Sequence, residues 1–254
     1  MISMVRPKLG QHFLVNLDVA NREVEYADIK PSDVVLEIGP GTGVLTRLLA
    51  AKAKQVIAVE LDKTLVKNLA LWIPKNVELI HADVLTIDFL CLARFTKVVA
   101  NLPFQISSPI TFQLLKYPFL KAILMYQKDF ADRMVASHGG REYSRLSVGV
   151  QYKTFCRILE VVHPHCFSPQ PKVDSCVVEL IPRKDPPFFV ENEDFFFELT
   201  KCLFTHRRKK IKNTVDQMFG KGCGEYPFKD RRVEELSPAQ IGELSNVLFS
   251  LTRR

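Results

Sequence analysis

Val34-Val35-Leu36-Glu37-Ile38-Gly39-Pro40-Gly41-Thr42-Gly43 is an apolar run that ends in three alternating glycines. The β-branched run is typical of a buried strand, and the glycines predict a sharp turn into a helix. Glycine permits such a turn and lets the backbone approach a ligand where a Cβ would clash. A tight strand-to-helix turn without any ligand is the simpler alternative.

Apolar runs and helix-like segments alternate over the first 182 residues, which predicts a parallel sheet flanked by helices. The predicted strands are 34–38, 55–60, 77–81, 97–101 and 121–127, and the predicted helices lie near 43–53, 62–73, 107–117 and 129–137. Two more strands, 157–163 and 173–182, suit a hairpin that closes the sheet antiparallel.

The composition changes at Arg183-Lys184-Asp185-Pro186-Pro187, which suits a linker. Beyond it the periodicity is helical over 195–204, about 208–219 and 237–251, with Ser237 as the N-cap before Pro238. We therefore predict an α/β ligand-binding domain at 1–185 and a small helical domain at 186–254.

The overall composition indicates an ordinary globular protein. The 254 residues contain no apolar run long enough to cross a membrane and no apolar leader, so we expect a cytoplasmic protein without a membrane partner. The six cysteines are scattered without a C-x-x-C pair, so we expect free thiols and no metal site.

The net charge of +7 includes one concentrated basic run, His206 to Lys212, in which five of seven residues are Lys or Arg. Phosphates would neutralise such a run and gain the entropy of released counter-ions. We predict nucleic-acid binding at the run, with Arg207, Arg208, Lys209 and Lys210 as contacts. A solvated helix face is the alternative.

Acidic residues follow the next two predicted strands. Glu60, seventeen residues after Gly43, is placed to accept hydrogen bonds from both hydroxyls of a ribose, and Asp83 to accept from an adenine amino group. The ligand of such a site is NAD or S-adenosylmethionine. The G-x-G-x-G spacing, rather than G-x-G-x-x-G, favours the ligand without a pyrophosphate.

The fourth predicted strand ends in Asn101-Leu102-Pro103-Phe104, which indicates amine chemistry. The carboxamide oxygen of Asn101 and the carbonyl of Leu102 can accept both N–H bonds of an exocyclic adenine amine and make its nitrogen more nucleophilic. Pro103 fixes φ and offers no competing donor, while Phe104 can stack on the base. The four residues predict N6-adenine methylation with S-adenosylmethionine as the methyl donor.

The chain resembles the KsgA family of ribosomal RNA adenine dimethyltransferases along nearly its whole length. The resemblance is carried by Lys8–Leu14, Glu37–Gly43, Val59–Asp62, Asp83, Asn101–Phe104, and Phe167–Ser175, which matches the pattern F-x-P-x-P-K-V-x-S. It implies a Rossmann-like S-adenosylmethionine-dependent methyltransferase sheet with a small helical C-terminal domain that binds RNA or the ribosome.

The resemblance also implies roles for individual residues. The cofactor would be bound by His12, Leu14, Gly39, Gly41, Glu60, Asp83 and Asn101. Asn101 to Phe104 would hold the target adenine, with Phe167 stacking on its other side. The family commonly has Tyr where Phe104 stands, and Phe keeps the stacking face.

The implied reaction is dimethylation of N6 on two adjacent adenosines near the 3′ end of small-subunit rRNA, in a precursor subunit. We expect a monomer. Three alternatives remain open from the sequence: an adenine methyltransferase acting on DNA or 23S-type rRNA, an assembly factor that binds RNA without catalysis, and an NAD-dependent enzyme.

Overall fold

A computed structural model of the chain describes residues 11–252. Residues 8–10 of the N-terminal motif lie outside the described residues.

The main sheet has seven strands in the order β4-β3-β2-β5-β6-β9-β7. Its strands are β2 (Val34–Ile38), β3 (Gln55–Glu60), β4 (Val77–His81), β5 (Lys97–Asn101), β6 (Lys121–Gln127), β7 (Thr154–Val162) and β9 (Ser175–Pro182). Strands β2 to β6 pair in parallel, whereas β9 runs antiparallel to β6. The predicted bounds of β2 to β6 are confirmed. Strands β2, β3, β5 and β6 are mostly apolar and buried, whereas β4, at the edge of the sheet, has Glu78 and His81 exposed.

A second, two-stranded sheet is formed by β1 (Phe13–Leu14) and β8 (Phe167–Ser168). The pairing is antiparallel, with Leu14 opposite Phe167. The backbone N–H of Val15 extends the pairing by donating to the carbonyl of Cys166 at 2.9 Å. The N-terminal motif and the 167–175 motif, far apart in sequence, are therefore held together by hydrogen bonds.

The helices of the described chain are α1 (Leu17–Ala27), α2 (Val44–Ala50), α3 (Lys63–Leu69), α4 (Ser107–Leu114), α5 (Lys128–Val135), α6 (Arg145–Lys153), α7 (Glu193–Thr205), α8 (Ile211–Phe219) and α9 (Pro238–Thr252). Helix α9 starts as predicted: the backbone N–H of Gln240 donates to Ser237 Oγ at 3.3 Å, and that of Ser237 to Gln240 Oε1 at 3.0 Å. The sequence patterns predicted neither α1 nor α6.

The chain forms two compact units. The first runs to Ala131 and resumes at Phe155–Pro182, and the second combines Asp132–Thr154 with the chain from Arg183 onward. The last boundary between the units, Pro182–Arg183, lies close to the predicted division near 185. Residues 132–154, predicted to lie in the first domain, belong to the second unit because α6 packs against α7 and α9.

Each unit has its own apolar core. In the first, α1 and α2 pack on the sheet with Val24, Leu49 and Val99 fully or almost fully buried. In the second, Tyr152, Phe196 and Leu244 are central to a cluster rich in aromatic rings. No described helix combines the length and apolarity needed to cross a membrane.

Candidate active site

A cleft opens at the carboxyl ends of β2 and β5 in the first unit. These two strands are neighbours, and the chain crosses to opposite sides of the sheet from them, so they form the topological switch point. Open α/β sheets bind ligands at this place because the loops leaving the two strands diverge there. His12, Leu14, Gly39, Gly41 and Asn101, all predicted cofactor residues, line the cleft.

The glycine loop needs its glycines because its backbone is left-handed at all three positions. The φ angles are 68° at Gly39, 60° at Gly41 and 83° at Gly43. A Cβ on Gly41 would lie 2.9 Å from Cδ1 of Phe13, and one on Gly43 would lie 2.5 Å from the Trp72 ring. The loop therefore fits closely beneath β1 on one side and against Trp72 on the other.

Glu60 lies behind this loop rather than along the cleft. Its Oε2 accepts a hydrogen bond from the Gly41 backbone N–H at 3.2 Å, and its Oε1 accepts from that of Asp62 at 2.8 Å. Each carboxylate oxygen retains a second lone pair, so Glu60 can accept further bonds from a ligand.

Asp83 also lies away from the residues that line the cleft. It follows β4 and accepts from the Leu85 N–H at 2.9 Å, capping a short 3₁₀ turn at Val84–Thr86. The remaining lone pairs of this half-buried carboxylate are open to a ligand, as are those of Glu60.

Asn101 is the last residue of β5, and the two polar atoms of its carboxamide lie in different environments. Nδ2 donates to Oε2 of Glu23 at 3.3 Å, whereas Oδ1 is buried and has no hydrogen-bond partner among the described residues. A buried acceptor without a partner costs about 1–3 kcal/mol. Because Asn101 lines the cleft, a donor group on a bound molecule would remove this cost.

The three residues after Asn101 do not line the cleft itself. Leu102 is buried, and the Pro103 ring lies beside Gly39, where a Cβ would meet its Cδ at 3.5 Å. Phe104 is half-buried, and its ring centroid is 6.1 Å from that of His12, whose Nδ1 lies 2.8 Å from the carbonyl oxygen of Pro169. The structure thus brings His12 and Phe104 together at one side of the cleft.

Phe167 does not face the cleft. Its side chain is 4% exposed and packs in the core of the first unit, where β8 supports β1. The ring is therefore used for packing in this structure, and its stacking on the target base stays a prediction. The F-x-P-x-P motif alone does not distinguish an aromatic residue in a loop from one in a core.

Two buried carboxyl groups near the cleft were not predicted as site residues. Glu37 lines the cleft at 1% exposure, and Glu23, on α1, is 0% exposed beneath Asn101. Burial raises the pKa of each of them to about 8. An acidic residue on the apolar face of a helix, as Glu23 is among Val19, Ala20, Val24 and Ala27, is the sequence signal that could have identified it.

The comparisons with known proteins agree with this geometry. The sequence profile described as ribosomal RNA adenine dimethylase matches residues 2–249. The chain belongs to this family. Relatives named probable ribosomal RNA small subunit methyltransferase A include one from Methanosarcina acetivorans, 44% identical over 96% of this chain and 94% of its own, and one from Thermococcus onnurineus, 43% identical over 94% and 91%.

Solved structures give the same assignment. A dimethyladenosine transferase from Plasmodium falciparum superposes with a TM-score of 0.80 at 29% identity, covering 94% of this chain and 98% of its own. The 23S rRNA methyltransferase ErmE superposes with a TM-score of 0.68 at 26% identity, over 95% and 100%. The Rossmann-like methyltransferase fold and S-adenosylmethionine dependence of this rRNA adenine dimethylase are thereby confirmed.

The donor set of the cleft fits S-adenosylmethionine. Buried acceptors without a described partner, Glu37 Oε2 and Asn101 Oδ1, suit a ligand that carries an ammonium group and ribose hydroxyls. The described residues contain no group of three His, Cys, Asp or Glu side chains that could hold a metal ion.

The residues of the basic run differ in their contacts within the second unit. The guanidinium of Arg207 donates to Glu234 Oε2 at 2.6 Å and to the carbonyls of Arg141 and Gly140 at 2.6 and 2.8 Å. All three of its nitrogens thus donate inside the unit, and a contact of Arg207 with nucleic acid stays a prediction.

The next three residues of the run are exposed. Lys210 pairs with Asp230 at 3.2 Å, whereas Arg208 and Lys209 form no ion pair with any described acidic residue. These two cations are the ones left for an external phosphate.

Proposed function

We propose that the protein transfers methyl groups from S-adenosylmethionine to N6 of two adjacent adenosines near the 3′ end of small-subunit rRNA, with a precursor subunit as substrate. Relatives above 40% identity over nearly the whole chain, named as small-subunit rRNA methyltransferases, support the substrate. The buried, unpartnered Oδ1 of Asn101 in the cleft is the observation that carries the chemistry.

The reacting amine of adenine is a poor nucleophile because its lone pair is delocalised into the ring. Asn101 Oδ1 accepts one of its N–H bonds and the backbone carbonyl of Leu102 accepts the other. With both hydrogens held, the nitrogen turns toward a tetrahedral form whose lone pair is available. The proton becomes acidic once the nitrogen is methylated, so no strong general base is needed.

Phe104 supplies the surface on which the base lies. Its ring is half-buried beside His12, so one face can be covered by the base while the ring stays in place. Stacking of this kind contributes about 1–3 kcal/mol per base. Positioning of the amine by Asn101, Leu102 and Phe104 supplies most of the rate enhancement.

S-adenosylmethionine, when bound, supplies an electrophilic methyl group. The residues proposed to hold it are Leu14, Gly39 and Gly41 along the cleft, with Glu60 accepting from the ribose and Asp83 from the adenine amine. His12 closes the site from the N-terminal strand.

The second unit is proposed to bind RNA through Arg208 and Lys209, with Lys210 able to exchange Asp230 for a phosphate. We propose a monomer, since each proposed site is formed within one chain. We also propose a cytoplasmic location, in keeping with the proposed substrate.

Methylation of large-subunit rRNA is a second candidate, because ErmE also superposes over 95% of the chain. Labelled S-adenosylmethionine should be incubated with immature small subunits, naked 23S-type rRNA and duplex DNA, followed by mass spectrometry of the nucleosides. We expect dimethyladenosine in the small-subunit RNA alone. Preferential methylation of the large-subunit RNA or of DNA would reject the proposed substrate.

Asn101→Ala tests the proposed chemistry. We expect methyl transfer to fall by about 100-fold or more, by analogy with the loss of one preorganised hydrogen-bonding group, while binding of the small subunit is retained. Asn21→Ala, which alters an exposed asparagine on α1, is the matched control and should keep full activity. Undiminished transfer by Asn101→Ala would refute the assigned mechanism.

A further inference from the structure

Glu23 is a carboxyl group that the reaction above does not use. It lies on α1, is 0% exposed, and projects from the same helix face as Val19, Val24 and Ala27. A buried carboxyl group costs several kcal/mol unless it is neutral or well bonded. The position of Glu23 in a packed helix face therefore indicates a functional role.

Its single described hydrogen bond is to the residue at the centre of the site. Asn101 Nδ2 donates to Glu23 Oε2 at 3.3 Å, and Glu23 Oε1 is buried without a partner among the described residues. Glu23 is not among the residues that line the cleft, so it contacts Asn101 from the protein side. The cleft side of the same carboxamide is its unpartnered Oδ1.

A carboxylate can only accept hydrogen bonds, whereas a carboxamide can present either its NH₂ or its oxygen. An ionised Glu23 therefore requires the NH₂ of Asn101 on its own side and leaves Oδ1 for the substrate. If the carboxamide turned round, its NH₂ would face the adenine amine, donor against donor, and Oδ1 would face the carboxylate, acceptor against acceptor.

We propose that Glu23 is a positioning residue that sets the orientation of the Asn101 carboxamide, so that Oδ1 faces the amine to be methylated. The proposal rests on the function proposed above for Asn101. Glu23 touches neither substrate nor cofactor in this role and acts only through Asn101.

The charges around Glu23 connect this role to pH. Glu160 on β7 and Glu37 on β2 face it with negative charge, and Arg22 on α1 faces it with positive charge. Arg22 is already paired with Glu160, its Nε lying 2.8 Å from Glu160 Oε2. Burial is the largest effect and raises the pKa of Glu23 to about 8. The hydrogen bond from Asn101 opposes it, Glu160 and Glu37 raise the pKa further, and Arg22 has the smallest effect and lowers it.

The orienting form of Glu23 is the ionised one, because a protonated carboxyl group can also donate to Oδ1 and stabilise the turned carboxamide. The kcat of the protein at saturating S-adenosylmethionine should then rise about tenfold from pH 7 to pH 9, following a single ionisation near pH 8.

The test is Glu23→Gln, which keeps the shape of the side chain and removes its ionisation. We expect kcat at pH 9 to fall about tenfold or more, because a misplaced reacting group costs up to about 100-fold. The KM for S-adenosylmethionine should stay within about twofold, and the rise of kcat with pH should disappear. A variant with wild-type kcat and an unchanged pH profile would overturn the proposal.

Two further variants separate Glu23 from its neighbours. Glu160→Gln removes a negative charge that faces Glu23 and should shift the midpoint of the kcat profile to lower pH. Glu37→Gln tests the other carboxyl group with a pKa of about 8. The rise of kcat should persist in it, with its midpoint also shifted to lower pH, because Glu37 raises the pKa of Glu23. A rise that vanishes in Glu37→Gln and remains in Glu23→Gln would reject the role of Glu23.

A measurement without substrate or cofactor keeps the proposal separate from the reaction itself. In the protein labelled with ¹³C and ¹⁵N, the Glu23 carboxyl and the Asn101 side-chain NH₂ should titrate together near pH 8, and the NH₂ titration should be absent in Glu23→Gln. An Asn101 NH₂ signal that does not change with pH would contradict the coupling. If Asn101→Ala keeps full methyl transfer, the proposed function fails. If the Glu23 carboxyl and the Asn101 NH₂ titrate together but Glu23→Gln leaves kcat unchanged, only the positioning role of Glu23 fails.

Discussion

Gly41 is the residue at which three parts of the candidate site meet. Its backbone lies under Phe13 of β1, its N–H donates to Glu60 at the end of β3, and its φ of 60° is left-handed. Any larger residue must either move Phe13 or straighten the loop, and both changes alter the cleft. The identity of a single residue is therefore fixed by steric and conformational demands together.

Gly41→Ala should impair cofactor binding more than folding. The left-handed backbone costs about 1–2 kcal/mol for alanine, and the contact at 2.9 Å from Phe13 adds displacement of β1. We expect the Kd for S-adenosylmethionine, measured by calorimetry, to rise about tenfold.

The matched control is Gly222→Ala. Gly222 has a φ of 81°, but no atom lies within 4 Å of the position that a Cβ would take, so the variant carries the backbone cost without the collision. Its cofactor affinity should equal that of the wild type. Equal losses of affinity in both variants would show that the contact with Phe13 is unimportant.

At the scale of elements, the strands of the main sheet were predictable, whereas the short strands β1 and β8 and the helices α1 and α6 were not. Strands β2, β3, β5 and β6 are mostly apolar runs that are buried in the sheet, so local pattern and burial agree there. Helix α1 escaped prediction because Glu23 interrupts its apolar face. Helix α6 did so because Val148, Gly149 and Val150 are poor helix formers that are buried on several sides of the helix.

The β1–β8 pair predicts the effect of removing Phe167. Because the ring is 4% exposed in the core of the first unit, Phe167→Ala should lower the free energy of unfolding by about 3–5 kcal/mol. The measurement is urea denaturation, with Phe155→Ala as the control, since the Phe155 side chain is largely exposed. If Phe167→Ala instead lost RNA affinity at unchanged stability, the result would support stacking of Phe167 on the target base.

The basic run predicts two different phenotypes within five residues. Removing Arg208 and Lys209 together should weaken binding to the small subunit and reduce the slope of log K against log salt by roughly 1.5–2. Arg207→Ala should instead destabilise the second unit, since Glu234 and two carbonyls lose their donor.

Lys201→Ala combined with Lys221→Ala removes the same charge from exposed positions of the second unit and is the control for the double variant. Its salt slope should match the wild type. If the Arg208 and Lys209 variant also matches, the run is a solvated face.

At the scale of the whole molecule, two buried carboxyl groups make stability depend on pH. The pKa of Glu23 and of Glu37 is raised from an ordinary value of 4.5 to about 8 in the folded protein. Their stabilising effect is complete below about pH 4.5 and is lost as the pH rises to about 8, because the unfolded chain releases these protons first.

We therefore expect the free energy of unfolding to fall between pH 5 and pH 8.5, and to fall less in Glu23→Gln, as measured by urea denaturation across that range. Glu78→Gln is the control, because this exposed carboxyl group on β4 should leave the slope unchanged. A wild-type free energy of unfolding that stays constant over this pH range would contradict the raised pKa values of the two buried carboxyl groups. The activity proposed to depend on ionised Glu23 thus rises over the same range in which stability falls.

The sequence by itself determined the strands of the main sheet and the chemistry at their ends. Its signals are local patterns, and their physical meaning does not depend on distant residues. They are the apolar runs, the turn at Gly39–Gly43, the acids Glu60 and Asp83, and Asn101–Phe104. Only the tertiary structure decided which side chains meet. It placed Glu23 against Asn101, paired β8 with β1, buried Phe167 and engaged Arg207 with Glu234. Contacts between residues tens of positions apart are set by packing of the whole chain, and a local pattern contains no information about that packing.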